Sequence, residues 1–258
     1  MSNRSIHTLL KNWDEECPLT REEAVEVLNL PAEEMDSLME CAYALRTKYK
    51  GKKVSVQLLT NVRSGNCTQN CAYCAQSKDS QAEIEKYKRV SDEKLYGDND
   101  LVDEKHLARH CIGLSGIGFS DEEIEDLADR IREMKKKDTQ ICCSIGFLTE
   151  KQARILKDAG LDRINHNLNS SRSFYPEICT THTYDQRVNN IKMLQSLGFE
   201  ICSGGIVGMG ESKEDIVDML MDIREINPEP VPINFLLPIP GTNLADRDIF
   251  LTLTHSNN

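Results

Sequence analysis

The chain has 258 residues, which is enough for one α/β domain or one barrel with a full hydrophobic core. A hydrophobic share of 39% and a charged share of 28% are typical of a soluble globular protein, and no run approaches the ~18 apolar residues of a membrane span. The net charge of -11 argues against a nucleic-acid partner, because phosphate binding needs a basic face. The amino terminus has no apolar leader segment, so we expect a cytoplasmic protein without a membrane partner.

The predicted elements begin with two helices, at residues 20–27 and 33–48. The second helix has apolar residues at helical spacing and is predicted to pack against the domain that follows. Six strand candidates then alternate with helices, at residues 54–61, 110–116, 140–146, 163–169, 200–208 and 231–237. This alternation predicts a parallel sheet, either open or closed into a barrel.

Local signals mark where the later helices begin and end. Ser120, Thr149 and Thr183 each precede Glu or Gln by three residues, which predicts capping boxes, and Gly160 and Gly198 follow helix ends. The Gly208-Met-Gly210 run lacks the third glycine of a dinucleotide site, so a Rossmann fold is disfavoured. We therefore predict an α/β fold of the TIM-barrel type with about six βα units and an active site at the carboxyl ends of the strands.

Cys67, Cys71 and Cys74 form the most informative motif, a C-x3-C-x2-C run just beyond the first predicted strand. The spacing offers three thiolates within eight residues and no fourth ligand nearby. A structural zinc site or a closed four-iron cluster takes four protein ligands, so three ligands leave one metal position open for chemistry. Ten cysteines in a chain without an export signal also favour metal or redox ligands over disulfides.

The predicted strands carry further cysteines. Alternate side chains of a strand share one face, which places Cys111 and Cys142 on the inward face of the barrel and Cys143 on the outward face. Cys202 could point inward from the fifth strand. Three inward cysteines at matching depth, near the amino-terminal ends of their strands, suit a second and buried iron–sulfur cluster.

Asparagines mark the fourth and sixth predicted strands. Asn165, Asn167 and Asn169 alternate along one inward face, and Asn234 lies in the sixth strand. Buried amides without partners cost about 1–3 kcal/mol each, so we expect a polar ligand in the lumen to satisfy them. A hydrogen-bond ladder along the strand is the structural alternative. His166 is predicted to point outward as a hydrogen-bonded structural histidine.

Together these residues resemble the biotin synthase family of radical S-adenosylmethionine (SAM) enzymes over residues 50–246. The motifs that carry the resemblance are GNCTQNCAYCAQS (65–77), HCIGLSG (110–116), NHNLN (165–169), CSGGIVGMGE (202–211) and VPIN (231–234). The cysteine triplet alone indicates only the superfamily. The strand cysteines and the asparagine motifs narrow the resemblance to the family.

The resemblance implies a sulfur-insertion chemistry with two clusters. A [4Fe-4S] cluster on Cys67, Cys71 and Cys74 would bind SAM, whose cleavage gives a 5′-deoxyadenosyl radical that takes hydrogen from dethiobiotin. A [2Fe-2S] cluster would be held by Cys111, Cys142 and Cys202 and donate the sulfur. Asn167 and Asn169 would meet the SAM ribose, and Asn165 and Asn234 would line the SAM and dethiobiotin pockets. A flavodoxin or ferredoxin reductant and a homodimer are implied in the same way.

Two departures from the family pattern shape our expectations. Position 169 is usually Asp in the family, whereas Asn here is a weaker acceptor for a ribose hydroxyl. The pattern also stops at residue 246, before the seventh-strand arginine that is the fourth [2Fe-2S] ligand in the family. From this we expect a truncated member, with a helical extension over 1–53, a partial barrel over 54–246 and a divergent tail over 247–258. We also expect an exposed sixth-strand edge and, as its consequence, low stability, poor solubility or a partner that closes the gap.

Two alternatives stay open at this point. One is a radical SAM enzyme of the hydrogenase-maturation type, which would not need the three strand cysteines together. The other is a catalytically impaired iron–sulfur remnant, which predicts cluster binding without SAM cleavage.

Overall fold

The computed structural model describes residues 18–247, so all but the first residue of the predicted divergent tail lies outside the described residues. The strands are β1 (Gln57–Arg63), β2 (Arg109–Leu114), β3 (Ile141–Ser144), β4 (Arg163–Asn165), β5 (Glu200–Cys202), β6 (Gly205–Val207) and β7 (Ile233–Phe235). The helices are α1 (Arg21–Leu28), α2 (Met35–Lys50), α3 (Asp92–Glu104), α4 (Asp121–Met134), α5 (Glu150–Asp158), α6 (Tyr175–Ile178), α7 (Tyr184–Ser196) and α8 (Lys213–Ile226). A 3-10 turn at Ala32–Glu34 precedes α2.

The strands form a parallel partial barrel, which confirms the predicted fold class. Strands β1 to β5 are hydrogen-bonded in sequence order, and β6 pairs in parallel with β7. A single bridge between Asn169 and Gly205 links the chain beyond β4 to β6. Helices connect successive strands, as a parallel arrangement requires.

One row of residues in register across the sheet shows where the core lies. Ile112, Cys143, Ile164 and Ile201 pair from β2 to β5, and each is fully buried. They point outward, into the layer between the sheet and its helices. The outward position predicted for Cys143 is therefore confirmed.

The predicted helix boundaries are confirmed by the caps. The hydroxyls of Ser120, Thr149 and Thr183 accept hydrogen bonds from the third residue of their helices, and each capping box is complete. Ser212 also forms a complete capping box, with Asp215 as its third residue. Gly160 has a φ of 96°, which lets the chain leave α5 in the left-handed conformation.

The predicted fifth strand is divided into β5 and β6. At the break the Ser203 N–H donates to the Pro230 carbonyl at 3.2 Å, on the side of β7. A Cβ at Gly204 would clash with the Pro232 carbonyl, and one at Gly205 would clash with Met219. The two glycines therefore allow Pro232 and Met219 to lie close to the main chain at the break between β5 and β6.

The two amino-terminal helices contact the barrel differently from the prediction. α1 packs on α8, with the Arg224 guanidinium donating to the Leu19 carbonyl at 2.8 Å. α2 buries none of its residues, and Met39 on its apolar stripe is 61% exposed. Within residues 18–247, α2 therefore lacks the buried apolar face that the prediction required, and α1 makes the contact with the barrel helices.

Large apolar side chains are exposed on the first and last strands. Leu59 on β1 is 69% exposed and Phe235 on β7 is 61% exposed. Within the described residues, β7 is the exposed edge that the sequence predicted. None of the described helices is both long and apolar enough to cross a membrane.

Candidate active site and cysteine clusters

A cavity of about 290 Å³ lies at the carboxyl ends of the strands and contains the predicted triplet and all four predicted asparagines. Its lining includes Cys67, Cys71, Cys74, Asn165, Asn167, Asn169 and Asn234. Apolar walls come from residues such as Ile117 and Ile206. Site residues predicted on three separate segments thus meet in one place.

The loop that carries the triplet is closed on itself by hydrogen bonds. Gly65 has a φ of 71°, and its N–H donates to Gln76 Oε1 at 2.8 Å. Ser115, just beyond β2, donates its hydroxyl to the Gly65 carbonyl at 2.6 Å. The Lys78 N–H donates to the Gln69 carbonyl at 2.9 Å. The loop is therefore anchored at both ends and attached to the end of a strand.

A second segment, residues 178–182 beyond α6, packs against the triplet loop. The Ala72 N–H donates to the Ile178 carbonyl at 2.9 Å, and Asn70 Oδ1 accepts from two main-chain amides of the segment at 3.0 and 3.2 Å. This contact brings Cys179 Sγ to 3.8 Å from Cys71 Sγ. Sequence reasoning missed Cys179, since no strand or helix period links residues 108 positions apart.

The two neighbouring thiols perturb each other. Their hydrogen bond and burial raise the pKa of Cys71. The same hydrogen bond, with contacts from His182 and Thr181, lowers the pKa of Cys179 to about 3. In the metal-free protein, Cys179 is therefore the thiol of the pair that ionises first.

Arg187 places a positive charge in the cavity wall. Its guanidinium donates to the Asn167 carbonyl at 3.1 Å, to His182 Nε2 at 2.9 Å and to the Tyr175 hydroxyl. Within residues 18–247 it forms no ion pair with a carboxylate, so its charge is available to an anionic ligand. The sequence showed Arg187 only as part of a helix, and nothing in the periodicity pointed to this role.

The asparagine strand ends earlier than predicted. β4 stops at Asn165, and Asn169 lies in the left-handed region with a φ of 70°. The Asn167 side-chain oxygen accepts from the Gly204 N–H at 3.1 Å, which leaves its amide N–H groups for a ligand. The three asparagines still line the cavity, although they do so from a strand end and a turn instead of one continuous strand.

His166 differs from its predicted role. Its ring lies in the cavity wall, and its buried Nε2 has no hydrogen-bond partner among the described residues. Burial lowers the pKa of His166 to about 3, so the ring stays neutral at physiological pH. The predicted outward position of His166 is wrong because the strand alternation ends one residue before it, while a hydrogen bond with the Ile145 main chain agrees with the predicted structural role.

The strand cysteines form a separate group deeper in the barrel. Cys111 and Cys142 are paired in register across β2 and β3, and their thiols share a hydrogen bond. That bond lowers the pKa of Cys111 to about 7 and, with burial, raises the pKa of Cys142. Cys202 is close enough to interact electrostatically with both.

Cys202 is not at the register depth of the other two. Glu200 occupies the row of Cys111 and Cys142, whereas Cys202 pairs with Asn165 in the next inward row. Tilted barrel strands shift their register by about one residue per strand, which accounts for an offset of two residues between β3 and β5. The predicted matching depth is therefore not met along the sheet register, and a tilt of this size is what would bring Cys202 level with the other two.

Two arginines flank the strand cysteines, Arg109 buried and Arg163 partly buried. Arg109 and Arg163 both bind Glu200 Oε2, at 3.0 and 2.6 Å. Arg109 Nη1 and Arg163 Nε are buried without a partner among the described residues. Both guanidiniums act on Cys111 and Cys202 and favour their thiolate forms. Because alternate side chains of a strand share one face, the sequence could have placed Arg163 inward together with Asn165. It gives no sign that Arg109 and Arg163 bind the same carboxylate, Glu200.

Comparisons with known proteins agree with this architecture. Residues 61–223 match the Radical SAM superfamily model. The chain is 41% identical over 228 residues to biotin synthase of Geobacillus kaustophilus (strain HTA426), covering 88% of this chain and 68% of that protein. It is 40% identical over 227 residues to biotin synthase of Bacillus subtilis (strain 168), with the same two shares covered.

Solved structures show the same fold at low sequence identity. Methylornithine synthase (PylB) superposes with a TM-score of 0.84 and 18% identity, covering 96% of this chain and 72% of that one. The FeFe-hydrogenase maturase HydG from Carboxydothermus hydrogenoformans gives a TM-score of 0.77 with 19% identity over 92% and 58% of the chains. The chain belongs to the biotin synthase family of the radical SAM superfamily, and it is a SAM-dependent iron–sulfur enzyme.

Proposed function

We propose that the chain inserts sulfur into dethiobiotin to form biotin. The observation that carries this proposal is the presence of two separate cysteine groups in one barrel. Cys67, Cys71 and Cys74 line a cavity at the strand ends, and Cys111, Cys142 and Cys202 lie deeper within the barrel. A radical SAM enzyme without a sulfur-donating cluster has no need of the second group.

The cavity fits a cluster with one open iron position. Its donor set is three thiols, and no fourth protein ligand is needed when SAM occupies the remaining iron. When bound, the [4Fe-4S] cluster supplies the electron that cleaves SAM to methionine and a 5′-deoxyadenosyl radical. The anchored loop holds the three thiols toward the cavity, and the apolar walls at Ile117 and Ile206 limit access of water to a radical.

Polar residues of the cavity provide a binding site for SAM. The Arg187 guanidinium, which lacks a carboxylate partner in the described structure, is the counter-charge for the SAM carboxylate. Asn167 and Asn169 are assigned to the ribose, and Asn165 and Asn234 to the region where SAM and dethiobiotin meet. The unpartnered Nε2 of His166 offers one further hydrogen-bonding position in the same wall.

The strand cysteines fit a second, more basic cluster site. Cys111 and Cys142 are adjacent, Cys202 is near, and the unpartnered guanidinium nitrogens of Arg109 and Arg163 offset the negative charge of bound thiolates. When bound there, a [2Fe-2S] cluster supplies the sulfur atom. The strand cysteines would hold this sulfur donor deeper in the barrel than the cavity in which dethiobiotin would lie.

The remaining parts of the proposal concern partners and organisation. The substrate is dethiobiotin, and the electron comes from a flavodoxin- or ferredoxin-type protein. We assign the chain to the cytoplasm as a homodimer. We divide it into a helical extension over 1–53, the catalytic barrel over 54–246 and a divergent tail over 247–258.

The test is anaerobic reconstitution followed by product analysis. With SAM, dithionite and dethiobiotin, the reconstituted chain is expected to produce both 5′-deoxyadenosine and biotin. Deoxyadenosine without biotin would contradict the sulfur-insertion proposal and leave another radical SAM reaction, such as one of the hydrogenase-maturation type. Iron binding without deoxyadenosine would indicate an impaired remnant.

A further inference from the structure

Cys71 and Cys179 place two thiols side by side at the edge of the candidate active site. Their Sγ atoms are 3.8 Å apart, and Cys179 is buried. The proposed function uses Cys71 as a cluster ligand and gives no task to Cys179. A cysteine of no assigned use therefore lies against a ligand of the cluster.

The contact between the two cysteines is set by the main chain on both sides. The residue after Cys71, Ala72, donates its N–H to the carbonyl of Ile178, the residue before Cys179. Asn70 adds two main-chain hydrogen bonds to the same segment, at 3.0 and 3.2 Å. These hydrogen bonds hold the two backbones side by side, and the sulfurs must close from 3.8 Å to the ~2.05 Å of a disulfide.

The neighbouring histidine favours thiol chemistry over metal binding at this pair. The donor atoms of Cys71, Cys179 and His182 lie within 4.8 Å of one another, as a metal site would require. However, Arg187 donates to His182 Nε2, and a guanidinium has no acceptor, so the ring proton must be on Nδ1. Nδ1 faces Gln69 Oε1 at 2.9 Å and Cys179 Sγ at 3.3 Å. The Nε2 lone pair is thus engaged by Arg187, and the ring nitrogen that faces the Cys179 sulfur carries the proton instead of a lone pair for a metal.

We propose that Cys71 and Cys179 form a reversible disulfide when the [4Fe-4S] cluster is absent. This proposal rests on the proposed role of Cys71 as a cluster ligand, and it adds a way to control loading of that site. A bound cluster occupies Cys71 and prevents the reaction. The disulfide in turn removes Cys71 from the ligand set until a dithiol reduces it.

The reaction needs an oxidant, for which a small-molecule disulfide such as glutathione disulfide is suitable. The thiolate of Cys71, the less buried of the two cysteines, attacks one sulfur of the oxidant and releases one glutathione thiolate. The Cys179 thiolate then attacks the Cys71 sulfur of the mixed disulfide and releases the second glutathione. Two protein thiols are oxidised, one small disulfide is reduced to two thiols, and the protein protons pass to the released thiolates.

The experiment uses the full chain after its iron has been removed by chelation under reducing conditions. The anaerobic protein is treated with glutathione disulfide, its remaining thiols are alkylated, and it is digested with trypsin. The expected product is a cross-link between peptides 64–78 and 173–187, with fragmentation assigning the bond to Cys71 and Cys179. Iron uptake by the oxidised chain should then require prior treatment with dithiothreitol.

Substitutions make the result specific. Cys179→Ser retains a hydrogen-bonding side chain and should abolish the cross-link, whereas the same change at Cys41 on α2 should leave it intact. Circular dichroism checks that both variants are folded. The proposal is overturned if folded wild-type protein gives only glutathione adducts or a Cys111–Cys142 cross-link. It is also overturned if Cys179→Ser loses as many thiols as the wild type on oxidation.

This outcome is independent of catalysis. A chain that forms the cross-link but produces no deoxyadenosine would contradict the proposed function alone. A chain that produces deoxyadenosine but never forms the cross-link would contradict the disulfide alone.

Discussion

The cavity triplet and the strand cysteines are held in place by different means. Cys67, Cys71 and Cys74 lie on a loop whose shape depends on hydrogen bonds from β2 and from the segment beyond α6. Cys111 and Cys142 lie on neighbouring strands, and the sheet register alone sets them opposite each other. The loop places its three thiols at an open cavity, whereas the strands hold a partly buried and a buried thiol, Cys111 and Cys142, inside the barrel.

The largest loss of activity is expected when a cysteine of the triplet is replaced. Such a variant tests whether the strand cysteines support biotin formation without the triplet. Cys74→Ala leaves two thiolates for the cluster. We expect deoxyadenosine and biotin production both to fall by at least roughly 100-fold, because loss of a direct ligand exceeds the usual effect of losing its outer-shell partners. Assays of both products after reconstitution measure this. Biotin formation at the wild-type rate would show that the triplet is not the radical source.

The second prediction tests the strand cysteines separately from the cavity triplet. Cys142 and Cys143 are adjacent in sequence, but their side chains lie on opposite faces of the sheet at β3. Cys142→Ser should abolish biotin formation while deoxyadenosine production remains within about threefold of wild type, because the SAM site is untouched.

Cys143→Ser is the matched control for that variant. It should keep both products but lower the free energy of unfolding by about 1–3 kcal/mol, since it introduces a hydroxyl into the core. Urea denaturation and product assays check both variants. Equal loss of biotin in the two variants would show that strand parity does not define the second cluster.

The third prediction concerns the charge in the cavity wall. Arg187→Gln should raise the KM for SAM by roughly 10–100-fold, since a hydrogen bond to a charged group is worth about 1.5–3 kcal/mol. Arg172→Gln is the control, because Arg172 is an exposed residue paired with Asp185. Steady-state deoxyadenosine assays give the KM values. Equal KM values for the two variants would remove Arg187 from the SAM site.

The smallest effect is predicted at Asn169. Asn169→Asp introduces a charged acceptor at a position whose φ of 70° both residues tolerate. We expect SAM to bind about fivefold more tightly, in line with a gain of ~1 kcal/mol for a charge-assisted hydrogen bond. Equilibrium binding of SAM to the reconstituted protein tests this. Asn169→Ser, which shortens the acceptor, should bind SAM more weakly than wild type.

The sequence was sufficient to predict features that depend on local periodicity. The capping boxes, the outward position of Cys143 and the opposed Cys111 and Cys142 follow from strand and helix periods. Features that depend on tertiary contacts were not accessible. Cys179 meets Cys71 through a short segment without periodicity, and His166 enters the cavity because β4 ends just before it.

The break between β5 and β6 illustrates the same limit. The Gly204-Gly205 pair was visible in the sequence, but its need arises from the close approach of Pro232 and Met219, which no local pattern reveals. Similarly, the apolar spacing of α2 predicted a packed face, whereas α1 makes the contact with α8. Amphipathic spacing shows that a helix can bury one face and does not identify its partner.

The central claim is that one barrel holds two different iron–sulfur clusters in two regions. Mössbauer spectroscopy of the chain reconstituted anaerobically with iron-57 tests it most directly. Two components are expected, from a [4Fe-4S] and a [2Fe-2S] cluster, at an iron ratio of about two to one. A single [4Fe-4S] component in folded protein that cleaves SAM would contradict the second cluster and with it the proposed source of sulfur.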